Sequence, residues 1–199
     1  FILWLGWFGF NGGSALALGT IDKSIEVANV FVNTNMAAAA GVVTVIALSI
    51  LLKGTINLPM VLNGAIGGLV SITAEPAAPA VWQAALIGAI GGGLIYATTP
   101  LLEKFKIDDV VGAIPAHLVC GIWGTLAVPL SNGDASFVNQ FVGILANGVF
   151  VFSISFGLWM ALKTTVGIRS TEDEDSLGLD LTETGAPGYE INPIIVPAE

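Results

Sequence analysis

Charge is what this chain lacks. Only 11% of its 199 residues are Asp, Glu, Lys or Arg, against 54% hydrophobic residues and a mean hydropathy of +0.84. A water-soluble domain carries about 25% charged residues, so there is too little polar surface here to cover a soluble globule, and lipid is the expected solvent. Cation scarcity is sharper still, with six Lys and Arg in all, which leaves no basic surface for nucleic acid. The single cysteine, Cys120, excludes a disulfide framework and a thiolate metal site, and in its apolar surroundings it reads as a small packing residue. No P-loop, GxSxG, HExxH or DxDxDG pattern occurs. With one histidine and no paired carboxylates in an apolar segment, the chain does not read as an enzyme, and no cofactor or metal is implied.

What is present is apolar and rich in glycine, 25 residues in all, with many of them inside the hydrophobic runs. Small residues there suit close-packed membrane helices. Six apolar segments stand between polar or Pro/Gly breaks, at 1–18, 29–52, 59–73, 80–99, 109–129 and 137–162. A spanning helix needs about 20 residues, so 59–73 is short. The expected fold is all-α, a polytopic membrane helical bundle with six helices. Residues 1–162 form its transmembrane part and 163–199 a tail. The chain opens on Phe1 inside an apolar run, which reads as a fragment whose preceding half is missing.

The formal net charge of −9 is concentrated in the tail, where Glu172, Asp173, Glu174, Asp175, Asp180, Glu183, Glu190 and Glu199 stand. Lys53, Lys104, Lys106, Lys163 and Arg169 fall on one side of the alternating segments, and Lys23 alone on the other. The positive-inside rule then puts the C-terminus in the cytoplasm. The tail, which closes on the Pro-broken INPIIVPAE, reads as irregular and ordered where it docks.

Two stretches could carry chemistry. His117 lies in IDDVVGAIPAHLVCGIWGTLAVP, eight residues beyond Asp109. Asp108 and Asp109 occupy an N-cap position, and Val110 opens the apolar run. A helix from there would carry the imidazole about 12 Å into the bilayer, where ionisable groups mark a pathway or a polar link between helices. Pro115 would interrupt the helical ladder nearby. In FILWLGWFGFNGGSALA, Leu3, Trp7, Phe10 and Ser14 share one helical stripe, with Gly6, Gly9 and Gly13 on the next. Aromatics followed by a hydroxyl can line a cation pathway or simply pack. Gly64 and Gly68 are spaced for helix packing, Thr73 is placed to bond a loop backbone, and Asn33, Thr34 and Asn35 are placed for an interhelical network.

Taken together, GWFGFNGGSALA (6–17), NTNMAAAAG (33–41), LNGAIGGLVSITA (62–74), DDVVGAIPAHLVCGIWGTLA (108–127) and TVGIRSTEDEDSLGLDLTETG (165–185) resemble the Amt/MEP/Rh ammonium transporter family in order and spacing. The resemblance implies a homotrimer with one pore per subunit, in which each subunit has eleven helices built from two inverted five-helix repeats and a last helix. This chain would supply the second repeat and the last helix. It also implies an inner or plasma membrane location and ammonium or ammonia as substrate. By position, His117 matches the second histidine of the family's twin-histidine pore, Phe10 a gating phenylalanine, and Ser14 the hydroxyl of the external ammonium site. Ile66 and Ala113 match apolar pore-lining positions, and Asp109 matches the aspartate heading the histidine helix, read here as a structural cap. Gly167, Arg169, Gly178 and Asp180 match the regulatory tail, which in many prokaryotes meets a PII-type signalling protein. Thr182 matches a position phosphorylated in plant members. Thr184-Gly185 stands where the family often has His-Gly. The implied function is transport through a hydrophobic pore with a histidine proton relay. The alternative is an ammonium sensor of the same fold, signalling through the tail.

Overall fold

Asn57 and Pro59 show how this sequence starts a helix. The Asn57 side chain accepts from the Met60 amide at 3.1 Å, and the proline within the first turn has no N–H to leave unsatisfied. Helix α3 accordingly spans Leu58–Thr73, beside the expected 59–73. The computed structural model describes residues 1–188, which are helical or irregular, with no strand among them. In chain order the other principal helices are α1 (Ile2–Gly13), α2 (Ile21–Lys53), α4 (Val81–Lys104), α5 (Cys120–Ala127), α6 (Phe137–Thr165) and α7 (Glu172–Leu177). A π-helical turn, Ile114–Val119, leads into α5, and a 3-10 turn, Val128–Leu130, leaves it.

Four expected boundaries shift. The first run stops at Gly13, not 18, because Ser14, Ala15 and Leu16 make short i→i+3 bonds and Leu16 turns left-handed at φ 59°. Helix α2 begins at Ile21, not 29. Thr20 caps it, and Lys23 and Glu26, which look like loop residues, pair on its surface at 2.6 Å. Helix α4 continues through Pro100 to Lys104. Only the one bond to the Tyr96 carbonyl is lost to proline, a loss that membrane helices tolerate. The fifth run begins its helix at Ile114, not at 109 or 110, because the Asp109 carboxylate takes up the first free amides of the run.

Helices α2, α3 and α4 pack on one another at backbone distance. A methyl group on Gly41 of α2 would strike the Gly64 carbonyl of α3, and one on Gly88 of α4 would strike the Ala37 carbonyl of α2. Gly64 and Gly68 both back onto α2, as their spacing predicts. Between the helices sit Val45, Met60, Val61, Ile95, Ala116 and Cys120, and towards the other end Ala37, Ile72, Ala84, Ile87 and Ala127. Cys120 is fully buried, with Sγ 3.5 Å from the Gly91 carbonyl. Asn33 binds the α3–α4 connection from α2, donating to the carbonyls of Pro76 and Pro79 at 3.0 and 2.8 Å.

Helices α2, α4 and α6 are long and apolar enough to cross a membrane. Lys53, Lys104 and Lys163 stand in their last turns, where cations also suit the helix dipole. Among the described residues, none of helix α6 is buried. The chain divides into two compact units, Phe1–Asn147 and Gly148–Glu199. In the second, Thr171 and Glu174 form a capping box at the start of α7, and Asp180 holds the following turn. The stretch 191–199 lies outside the described residues.

Candidate functional groove

His117 owes its position to the loop before it. The Asp109 carboxylate accepts from the amides of Ala113 and Ile114, both at 2.8 Å. Those two N–H groups head the helical run and have no partner within it. Residues 110–112 therefore form a turn, with Val110 and Val111 exposed and Gly112 left-handed at φ 72°. A side chain on Gly112 would meet the Asn63 amide, which reaches across from α3 to donate to the Val111 carbonyl at 2.8 Å. The helix thus starts five residues after Asp109, and His117 lies in its first turn. The eight residues from Asp109 to His117 are not the continuous helix that their sequence suggests. Pro115, which cannot donate, falls at the beginning of the wide π turn that carries His117.

Helix α1 is anchored by polar and aromatic links rather than by buried hydrophobic bulk, since Asn11 is its one buried residue. Asn11 donates to Thr34 of α2 at 2.9 Å, and Phe8 meets Phe31 of α2 edge to face at 5.4 Å. The Trp7 indole donates to Thr73 of α3 at 2.7 Å. Thr73 in turn donates to the Leu69 carbonyl at 2.6 Å, so its expected loop contact is a contact within its own helix instead.

These links leave an open groove of about 750 Å³. Leu3, Trp7 and Phe10 line it from α1, Val70 and Thr73 from α3, and His117 and Thr125 from the run 114–127. The aromatic stripe and the histidine, which are more than a hundred residues apart in sequence, therefore face one space. Trp7 and Phe10 lie 5.7 Å apart, tilted by 41°. Thr125 spends its hydroxyl proton on the Gly121 carbonyl. His117 is exposed to the groove, so the interhelical hydrogen bond that was its other reading is not formed among the described residues. No group of metal ligands occurs among the described residues. The groove is an aromatic and aliphatic surface with one imidazole, which can take or release a proton, and two hydroxyls whose protons go to backbone carbonyls.

The remaining candidates lie elsewhere. Ser14, one turn beyond Phe10, donates to the Phe10 carbonyl at 3.0 Å and is exposed. Ile66 packs against the core between α2, α3 and α4, and Ala113 is exposed at the head of the histidine run. In the second unit, Gly167 and Gly178 take left-handed φ values of 86° and 93°, and Arg169 is exposed. The Asp180 carboxylate accepts from Gly188 at 2.6 Å, and Thr182 donates to the Gly178 carbonyl at 3.3 Å. That Gly188 bond, with a second backbone bond from Leu181, holds the Asp180 carboxyl below its ordinary range. Sequence reasoning did not single out Val70 or Thr125 as lining residues; each is an ordinary residue of an apolar helix until the helices are placed.

A model of the Ammonium Transporter Family matches residues 1–189. The ammonium transporter Amt2 of Archaeoglobus fulgidus is 39% identical over 95% of this chain and 44% of its own length. The ammonium transporter of Bacillus subtilis is 37% identical over 95% of this chain and 50% of its own. Among solved structures, one described as a Sensor Amt Protein matches 91% of this chain and 46% of its own, with a TM-score of 0.77 and 36% identity. Candida albicans Mep2 matches 86% of this chain and 42% of its own, with a TM-score of 0.76 and 26% identity. The chain spans about half the length of the curated relatives it matches.

Proposed function

The chain belongs to the ammonium transporter family, and from that premise we propose that it provides one wall of an ammonium-conducting pore, with the groove between α1, α3 and His117 as the path. The observation that carries this reading is the meeting of Trp7, Phe10 and His117 on a single groove. An aromatic face stabilises a cation by about 2 kcal/mol or more when water is excluded. Burying even a side-chain charge at the centre of a bilayer costs about 2.5–3.5 kcal/mol or more. Aromatic faces can therefore recruit ammonium at a mouth, but they do not offset the cost of carrying it bare through an apolar bore. Transferring its proton to an imidazole, which takes and releases one near neutral pH, lets neutral ammonia cross the apolar section. In this scheme Ser14 accepts a hydrogen bond from ammonium outside Phe10 and His117 relays the proton, while Ile66 and Ala113, which stand outside the groove, take their bore-lining role from the family resemblance alone.

The same reading makes residues 1–162 the membrane part of a homotrimer in the inner or plasma membrane. Residues 163–199 become a cytoplasmic regulatory tail built on Gly167, Arg169, Gly178, Asp180 and Thr182, with a PII-type signalling protein as its partner. A second reading, an ammonium sensor of the same fold, is favoured by the likeness to the structure described as a Sensor Amt Protein. To test the first, the complete protein is reconstituted in liposomes and given an ammonium pulse while current and internal pH are recorded. Flux from the wild type that falls at least tenfold in His117→Ala is the expected result. An intact wild-type protein that carries no flux overturns the channel in favour of the sensor.

A further inference from the structure

The groove contains a hydrogen-bonded chain that the proton scheme does not use. The Trp7 indole donates to the Thr73 hydroxyl at 2.7 Å, and that hydroxyl donates to the Leu69 carbonyl at 2.6 Å. A threonine hydroxyl has one proton and two lone pairs. Its proton is committed to Leu69 and one lone pair to Trp7, which fixes the direction of both groups. Indole has a single N–H, so this bond sets the position of the ring, and Trp7 in turn stands 5.7 Å from Phe10. The last residue of α3 therefore fixes the Trp7 ring, beside which Phe10 stands on the groove.

We propose that Thr73 is a positioning residue for the substrate cation. It holds Trp7, and Phe10 through it, with their faces arranged around the groove, and so sets the affinity for ammonium rather than the rate of its passage. This inference rests on the groove being the ammonium path. Helix α1 has independent anchors in Asn11–Thr34 and Phe8–Phe31. Loss of the Trp7–Thr73 bond consequently frees a ring and leaves the helix seated. Cation–aromatic attraction depends on the ion lying over the ring face, so a freed ring weakens capture without touching the histidine.

The test measures initial ammonium flux against concentration with the complete protein in liposomes, for wild type, Thr73→Val, Thr73→Ser, Trp7→Phe and the Thr73→Val/Trp7→Phe double variant. Thr73→Val keeps the shape and removes the hydroxyl. It should raise KM about two- to tenfold, the size of one hydrogen bond, and leave the maximal rate within about twofold. Thr73→Ser should restore KM. Trp7→Phe removes the donor and exchanges the larger ring face for a weaker one, so it should raise KM at least as much, and Thr73→Val should add nothing further to it. An unchanged KM in Thr73→Val, failure of serine to restore it, or fully additive effects in the double variant overturns the positioning role while the channel reading stands. A wild-type protein with no ammonium flux overturns both.

Discussion

Two glycine-rich regions of this chain look alike in sequence and behave differently in the fold. In α2, α3 and α4 the glycines are where backbones touch, and a methyl on Gly41 or Gly88 would collide with a carbonyl of a neighbouring helix. In α1 the stripe of Gly6, Gly9 and Gly13 meets nothing within 4 Å. Helix α1 is held from its other faces, by Trp7, Phe8 and Asn11. Among the described residues, then, no backbone packs against this small-residue face. Small-residue spacing marks a face that allows close approach. It does not name the partner, and here hydrogen bonds and ring edges do the seating.

The comparison can be broken most directly by exchanging methyl groups for hydrogens. Gly41→Ala forces the α2–α3 backbones apart and should destabilise the protein by about 1–3 kcal/mol, read as a lower midpoint of thermal unfolding in detergent. Gly9→Ala should leave the midpoint unchanged or raise it slightly, since alanine in a helix interior is favoured over glycine by about 0.5–1 kcal/mol. Equal losses at both positions would show that a backbone from outside this chain covers α1 as closely as α3 covers α2. A smaller effect is expected at the polar anchor. Asn11→Ala removes the buried link to Thr34, and interhelical hydrogen bonds in membranes are worth about 0.6–1.7 kcal/mol. A loss as large as that of Gly41→Ala would mean that α1 depends on this one bond.

The smallest effect extends the comparison to a segment with no buried residues in its helical turns, Glu172–Leu177 and Asp180–Thr184. Its order rests on exposed carboxylates, and Glu174 and Asp180 are both held below the ordinary carboxyl range by the hydrogen bonds they accept. A carboxyl with a depressed folded pKa contributes stability above its unfolded value, about 3.9 for aspartate, and loses it as pH falls. Protection of the Gly188 amide against hydrogen exchange should therefore hold at neutral pH and fade below about pH 4. Asp180→Asn should weaken it at both. Protection that survives acid would assign the order of this turn to something other than the Asp180 carboxylate.

The helical class and most segment positions were legible because apolar runs and their breaks reflect burial. The apolar run 59–73 lies within a residue of Leu58–Thr73, and Asn57 and Pro59 mark its start locally. The misreadings have local causes too. Lys23 and Glu26 read as loop residues because ionic residues on a helix surface resemble a loop. The sequence places Asp109 at an N-cap directly before Val110, but its carboxylate accepts from amides four and five residues on, so the helical run begins later. The groove was half legible. Its aromatic stripe and its histidine stood out as types, but their meeting did not. The Trp7–Thr73 bond, 66 residues apart in sequence, has no local signature at all.

The π turn at Ile114–Val119 acts as a phase adjuster. A π turn contains one residue more than the α turn it replaces. Deleting one residue there, as a regular helix would require, would rotate everything before it by about 100° relative to Cys120, Gly124 and Ala127. The bundle contacts of α5 and the azimuth of the imidazole are thus independent settings of one helix, and a single-residue insertion or deletion can change the second while sparing the first.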